Sequence, residues 1–459
     1  MKIHFIGIGG IGVSALAQYY LQKGDSVSGS DLTSSDIVEK LKEMGAKISI
    51  GKHNPENLPE DAEVVIYSPA VQPDNPELKK ARTLGKARIS NKLSNNIRIM
   101  SYPEALGKLT EKYFTIAVSG THGKSTVTSM ISLVLIRAGF DPTVILGTKL
   151  KEFNNSNFRQ GESKYLVIEA DEWKASFLKY SPKIIVLTNI EREHLDYYKN
   201  LNHILNTYQK YLSRLPEDGF LIANKEDRNI KNLIKKFITR PGLPIVRNII
   251  YFSKNELDGK KLKKILKIPG EHNVLNALAV LKVARVLKIP DETTFRSLSE
   301  YKGSWRRFEK KEGKINDLSC LIISDYGHHP TEVLATLKGA REEFGNKKIF
   351  LVFQPHQYQR TFYLFNDFVK IFKKAIEGGK TKKLADKIII TDIFDVPGRE
   401  NQTIKKKVNS KKLVKAINNP RAIYLPKTEI MGYLKKSLKG GEIIIIMGAG
   451  DIYKLAEQF

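Results

Sequence analysis

The chain has 459 residues, 41% of them hydrophobic, a single cysteine and a formal net charge of +27. That length exceeds one ordinary core and fits about three domains, while a lone Cys320 excludes an intramolecular disulfide and points to a reducing, cytoplasmic setting. The longest apolar runs, such as residues 443–449, fall short of the ~18 needed to span a bilayer, and a strand-like run from Lys2 is expected to leave no room for a signal peptide. The lysines are scattered along helical faces without an arginine-rich arm, RNA-binding aromatic motif or zinc pattern, so the charge suits phosphate-bearing substrates better than nucleic acid.

Residues 1–108 open with a short apolar strand, then Gly7, Gly9, Gly10, Ile11 and Gly12, then a helical run over residues 13–21 that stops near Gly24. This is a Rossmann-like βα unit, whose glycines let a diphosphate approach the backbone. A second strand leads to Asp31, placed to meet a ribose hydroxyl, and a third, residues 63–67, ends at Ser68. By itself the glycine pattern leaves an NAD-dependent oxidoreductase open.

Residues 109–301 begin with a strand over 114–118 and the loop Gly120, Thr121, His122, Gly123, Lys124, Ser125, Thr126. Apolar residues at 127, 130, 131, 134 and 135 predict a helix behind it. A glycine-flanked lysine between strand and helix is a P-loop arrangement: backbone amides and the helix dipole hold phosphates, Lys124 reaches the terminal ones, and the Ser125 hydroxyl suits Mg²⁺. The first glycine of the general pattern is replaced by Val118. Two more strands end in acidic runs, Glu169, Asp171 and Glu172 after one, Glu191, Glu193, His194 and Asp196 after the other. In a parallel sheet such strand ends converge on one edge. Asn273 and Asn276 fall in the first turn of a later helix, where asparagine ordinarily serves as a cap.

Residues 302–459 hold strands near 320–324, 349–353, 387–391 and 442–447, alternating with helices as in another Rossmann-like α/β domain. Polar clusters follow two of them: Asp325, Tyr326, His328 and His329, then His356, Gln357 and Arg360.

An α/β chain of three domains, with a Rossmann-like N-terminal part, a central P-loop ATPase-type parallel sheet and a C-terminal Rossmann-like part, resembles the Mur ligases of bacterial cell-wall synthesis over essentially its whole length. The motifs that carry the resemblance are Gly-Thr-His-Gly-Lys at 120–124, Glu-Ala-Asp-Glu at 169–172, Thr-Asn-Ile-Glu at 188–191, Asp-Tyr-Gly-His-His-Pro-Thr-Glu from 325 and Phe-Gln-Pro-His from 353. They are most similar to those of the members that add alanine to UDP-N-acetylmuramate.

The resemblance implies an ATP-dependent amide-forming ligase working through an acyl phosphate. It reassigns Gly9, Gly10, Ile11 and Gly12, with Asp31 and Ser68 nearby, to the UDP-sugar. It gives Gly120 to Thr126, Asn273, Asn276, Arg307 and Asp325 to ATP, and Ser125, Glu169 and His194 to Mg²⁺, with Mn²⁺ as a substitute. It makes Lys124, His194, Arg307 and His328 the catalytic group, and Tyr326, His328 and Arg360 the amino-acid site. Two departures stand out, Trp173-Lys174 where the family carries Ser-Asp, and Gln357 where many alanine ligases have a second arginine. Alanine is the expected amino acid, with serine or glycine as the next candidates. Rival readings are a recycling ligase that attaches an intact tripeptide to the same sugar nucleotide and, from charge alone, a nucleic-acid-stimulated ATPase.

Overall fold

The computed structural model describes residues 1–90, 97–239, 248–315, 318–378, 382–396 and 400–459. It contains three sheets. The first orders β3-β2-β1-β4-β5, all parallel, from β1 (Lys2–Ile6), β2 (Ser26–Asp31), β3 (Lys47–Ile50), β4 (Val64–Tyr67) and β5 (Arg98–Ser101). Strand order reverses beside β1, which opens a crevice between the carboxyl ends of β1 and β4.

The second sheet orders β12-β11-β10-β6-β9-β7-β8. Its strands are β6 (Phe114–Ser119), β7 (Thr143–Leu150), β8 (Ser156–Arg159), β9 (Tyr165–Glu169), β10 (Ile184–Leu187), β11 (Phe220–Asn224) and β12 (Asn248–Phe252). Only β8 runs antiparallel, paired to β7. The third orders β13-β14-β18-β15-β16-β17, from β13 (Glu309–Ile315), β14 (Leu318–Asp325), β15 (Ile349–Phe353), β16 (Lys387–Ile390), β17 (Ala422–Tyr424) and β18 (Ile443–Met447).

Central strands read as unbroken apolar runs because helices cover both faces of a parallel sheet. In β18 every residue from Ile443 to Met447 is buried, Ile443 and Ile445 on one face of the sheet, Ile444 and Ile446 on the other. The edge strand β13, Glu-Lys-Lys-Glu-Gly-Lys-Ile, pairs antiparallel with β14 and alternates half-buried with exposed positions. Its charges hide it from a pattern search for strands and guard an open edge against further pairing. The sequence-based expectation lacks β3, β5, β7, β8, β11, β12, β13 and β17, most of them short or at sheet edges.

The chain forms two compact units. Met1–Ile190, Ile204–Ser253 and Ala279–Ser297 make one and carry the first two sheets; Glu191–His203, Lys254–Leu278 and Leu298–Phe459 make the other and carry the third. Among the described residues no helix is long and apolar enough to cross a membrane.

Candidate active site

In the first unit, β6 ends at Ser119 and the helix Lys124–Arg137 begins four residues after Gly120. Gly120 has φ +132°, and a Cβ there would collide with Thr188 Oγ1 and stand 2.9 Å from Asn189 O, so no other residue fits. The residues after β10 hold the loop from beneath. Asn189 O accepts from Thr121 N–H at 3.0 Å, Asn189 Oδ1 from His122 N–H at 2.8 Å, and His122 O accepts from Asn189 Nδ2 at 3.0 Å and Thr188 Oγ1 at 2.6 Å. Asn189 thus acts as a template for the loop, a role its motif marked without revealing.

β9 and β10 flank β6 in parallel, with Val118 opposite Glu169 and Ser119 opposite Leu187. The acidic end of β9 therefore lies beside the loop. Lys124 Nζ donates to Gly120 O at 2.7 Å and to Glu172 Oε2 at 3.0 Å, and stands 3.6 Å from Asp171 Oδ1. Burial opposes its charge, but Glu172, Asp171 and Glu169 outweigh burial and hold its pKa above the ordinary lysine value. Ser125 Oγ donates to Glu169 Oε2 at 3.0 Å, while Glu169 Oε1 accepts from Gly147 N–H at 2.6 Å. A hydroxyl and a carboxylate side by side are the hard oxygen donors that Mg²⁺ takes, so these two residues fit the expected metal. His194 belongs to the other unit. Thr126 is buried in the first helical turn.

The residues expected to hold the UDP-sugar lie around the glycine loop of the first sheet. Gly10 precedes the helix Ile11–Gln22, where Ile11 is the first residue, and a Cβ on Gly12 would stand 2.7 Å from the Tyr102 hydroxyl. Asp31 Oδ2 accepts from Gly9 N–H at 2.8 Å and so occupies one amide of the glycine loop. Ser68 borders the same loop, since a Cβ on Gly7 would lie 3.1 Å from Ser68 Cβ. Lys174 reaches this region too. It lies in the left-handed region at φ 50°, its ammonium sits over the Trp173 ring at 4.7 Å, and it donates to Pro69 O at 2.9 Å. The base found in place of the family's acid therefore ties the segment after β9 to the loop after β4.

The second unit gathers the histidines. His329 takes the N-cap of the helix Pro330–Phe344: its Nδ1 accepts from Thr331 N–H at 3.2 Å, and Glu332 accepts back from His329 N–H at 3.1 Å in a capping box. Glu332 also accepts from His328 N–H at 2.8 Å. His328 Nδ1 is 3.1 Å from Tyr326 O, a carbonyl that can only accept, so the proton is assigned to Nδ1 and the lone pair to Nε2. Burial and then Arg360 push the His328 pKa down to about 3, leaving a neutral imidazole. Asp325 at the end of β14 accepts from Gly327 N–H at 2.7 Å and Phe308 N–H at 3.0 Å, and burial lifts its pKa to about 6.

Arg360 is buried, with Nε and Nη2 on Glu193 Oε1 at 2.9 and 2.8 Å and Nη1 on His356 O at 2.9 Å and His356 Nδ1 at 3.0 Å. Gln357, at the position of the missing arginine, is buried and has φ 71°. The two neighbouring arginines differ. Arg306 is 3% exposed, packed among the rings of Trp305, Tyr326 and Tyr453, and donates to Gly448 O and Gly450 O. Arg307 also lies over the Tyr326 ring, at 5.0 Å, but with its side chain a quarter exposed. Asn273 and Asn276 do not cap the helix Glu271–Val286, contrary to the reading from residue type. Each is a donor: Asn273 Nδ2 to Pro269 O at 2.7 Å and Asn276 Nδ2 to Asn273 Oδ1 at 3.2 Å, which fixes both amides in one chain.

Comparison with known proteins places three family patterns along the chain in order: Mur ligase family catalytic domain over residues 2–114, Mur ligase middle domain over 118–284, and Mur ligase glutamate ligase domain over 306–450. The chain is 43% identical to the UDP-N-acetylmuramate–L-alanine ligase of Clostridium tetani, covering 100% of this chain and 97% of that one. It is 41% identical to the ligase of the same name from Acetivibrio thermocellus, covering 100% and 95%. Among solved structures, the UDP-N-acetylmuramate-alanine ligase of Thermotoga maritima superposes with a TM-score of 0.75 at 28% identity, covering 100% of this chain and 98% of that one. A murein peptide ligase from Psychrobacter arcticus shares the fold, with a TM-score of 0.68 at 22% identity and coverage of 100% and 98%.

Proposed function

Because the chain belongs to the Mur ligase family, we infer that it joins L-alanine to the lactyl carboxylate of UDP-N-acetylmuramate with hydrolysis of ATP, in peptidoglycan precursor synthesis. The observation that carries this is full-length identity of 41–43% to ligases of that activity. The lactyl carboxylate attacks the γ-phosphorus and ADP leaves; the amine of alanine then attacks the acyl phosphate carbonyl, and phosphate leaves as the amide forms.

We assign residues 1–108 to the UDP-sugar, 109–301 to ATP and 302–459 to the amino acid. The P-loop amides and Lys124 bind the ATP phosphates, and Lys124 and Arg307 neutralise charge on the moving phosphoryl group, whose transfer depends mostly on positioning and electrostatics. Asn273 and Asn276, already held to one another, present the base and ribose side of the nucleotide with fixed polar groups. Ser125, Glu169 and His194 would hold Mg²⁺. When bound, the metal supplies further charge neutralisation at the phosphoryl oxygens. Neutral His328 offers its Nε2 lone pair to the attacking amine, and Arg360 receives the amino-acid carboxylate.

The test supplies purified protein, UDP-N-acetylmuramate, ATP and Mg²⁺ with alanine, serine, glycine or the cell-wall tripeptide in turn, and follows phosphate release and product mass. Alanine gives the efficient reaction with one new amide. Phosphate without an amide, or a preference for the tripeptide, overturns the reading.

A further inference from the structure

The two carboxylate oxygens of Glu193 have unequal surroundings. Oε1 accepts hydrogen bonds from Arg360 Nε at 2.9 Å and the His194 N–H at 3.0 Å and stands 2.8 Å from Arg360 Nη2 in an ion pair. Oε2 is buried and, among the described residues, accepts none. His329 Nε2 is 4.0 Å away, and its proton is directed to Arg192 O at 3.3 Å because Nδ1 accepts from Thr331. A buried anionic oxygen without a donor is costly and calls for one.

Glu193 also lines a small cavity, together with Gln357, Arg360 and Leu364 among others, of about 10 Å³, room for one water. On the other side of the ion pair, Arg360 is fastened independently, through Nη1 to His356 O and Nδ1. Its Nε–Nη2 edge, the fork that matches a carboxylate, is what Glu193 occupies. The pair therefore presents, at one place, an acceptor lacking a donor and a guanidinium edge filled by a replaceable carboxylate.

We propose that Glu193 receives the ammonium group of the incoming amino acid: the zwitterion separates the Arg360–Glu193 pair, its carboxylate taking the Nε–Nη2 edge and its ammonium the carboxylate of Glu193. The proposal rests on the reading of Arg360 as the amino-acid carboxylate site and adds the residue that recognises the other end. It makes the enzyme selective for α-amino acids over plain carboxylic acids, and it compensates for Gln357, which cannot add a second cationic contact. The ammonium gives its proton to the Nε2 lone pair of His328, and the neutral amine is then free to attack.

The test compares the KM for alanine with the inhibition constant of propionate, which has alanine's carboxylate without its amine, in the wild type, Glu193→Gln, Glu193→Asp and Arg360→Lys. Glu193→Gln is expected to raise the KM for alanine about 10-fold or more, the loss of a charged hydrogen bond, while propionate binds as well as before or better because Arg360 is freed. The KM values for ATP and UDP-N-acetylmuramate stay put. Should Glu193→Gln fail to fold, Glu193→Asp reads the same ratio with the charge kept and drawn back by one methylene. A merely structural Glu193 would shift alanine and propionate in parallel, and that result overturns the proposal. If Arg360→Lys weakens alanine but neither Glu193 variant changes the ratio, the ammonium assignment fails and the carboxylate site stands; if Arg360→Lys leaves alanine binding intact, the amino-acid site itself is misplaced.

Discussion

Lys124 Nζ lies 3.0 Å from the buried carboxylate of Glu172 and 2.7 Å from Gly120 O, so the P-loop lysine is folded back over its own loop by the acidic end of β9. An incoming γ-phosphate offers the same ammonium a more highly charged partner. Removing the amine with Lys124→Ala should lower kcat by about 10²–10³-fold, the usual effect of losing one electrostatic contact to a transition state. UDP-N-acetylmuramate binding, assigned to the first sheet, should persist. Turnover assays beside calorimetric binding of the UDP-sugar check both halves, and unchanged turnover would falsify the role of the lysine.

Arg306 and Arg307 are adjacent in sequence and should fail in different ways. Arg306 is buried among three rings and fills two carbonyls, so Arg306→Ala leaves a cavity and stranded acceptors and should destabilise by about 3 kcal/mol or more. Arg306→Lys should rescue little, because an ammonium cannot stack between aromatic faces as a planar guanidinium does. Arg307→Ala should keep the wild-type melting temperature and lose kcat by about 10²–10³-fold. Thermal melts and turnover measured on the same preparations separate the two; a folded, inactive Arg306→Ala would reverse the assignment.

His328 should stay neutral far below the pH at which histidines usually charge. Burial and Arg360 set its folded pKa at about 3, against an ordinary 6.5. The unfolded chain therefore takes up this proton first as pH falls, and stability from this group is lost progressively between about pH 6.5 and pH 3. Nitrogen chemical shifts of the ring at pH 5 should report a neutral imidazole with its proton on Nδ1. A charged ring at that pH would remove the acceptor proposed for the amine.

What the sequence discloses and conceals follows from the range of the interactions. Strand, glycines, lysine and helix are contiguous at 114–137, so the P-loop is legible from local pattern alone, and buried parallel strands such as Ile443–Met447 announce themselves by composition. Glu193 looks like one more loop acid because its partner Arg360 is 167 positions away. Arg306 and Arg307 are indistinguishable by type, and only the rings around the first separate them. Asp31 is legible by spacing as an acid at a strand end, but its bond to Gly9 N–H, 22 positions back, is one that no residue pattern encodes. The charged edge strand Glu309–Ile315 escapes because the features that protect an edge are those that disguise a strand.

Beside β1 and β2 of the first sheet, Glu77 is fully buried and its carboxylate collects donors from four side chains. Oε2 accepts from His4 Nε2 at 3.0 Å and Ser30 Oγ at 2.7 Å, Oε1 from His53 Nδ1 at 2.8 Å and Asn57 Nδ2 at 3.0 Å. Burial alone would raise its pKa, but the bonds from His4, Asn57, Ser30 and His53 prevail and hold it at about 2. A folded pKa below the unfolded value of 4.5 means that the stabilisation is complete above about pH 4.5 and disappears as pH falls through 4.5 toward 2. Glu77→Ala should cost about 3 kcal/mol, since it strands buried donors that shared one anion, and should flatten the dependence of stability on pH in that window. Urea unfolding of wild type and variant at pH 7, 4 and 3 gives both quantities. Because Ser30 precedes Asp31, the variant should also weaken UDP-sugar binding more than ATP binding; equal weakening of the two would mean that the network supports the fold without shaping the crevice.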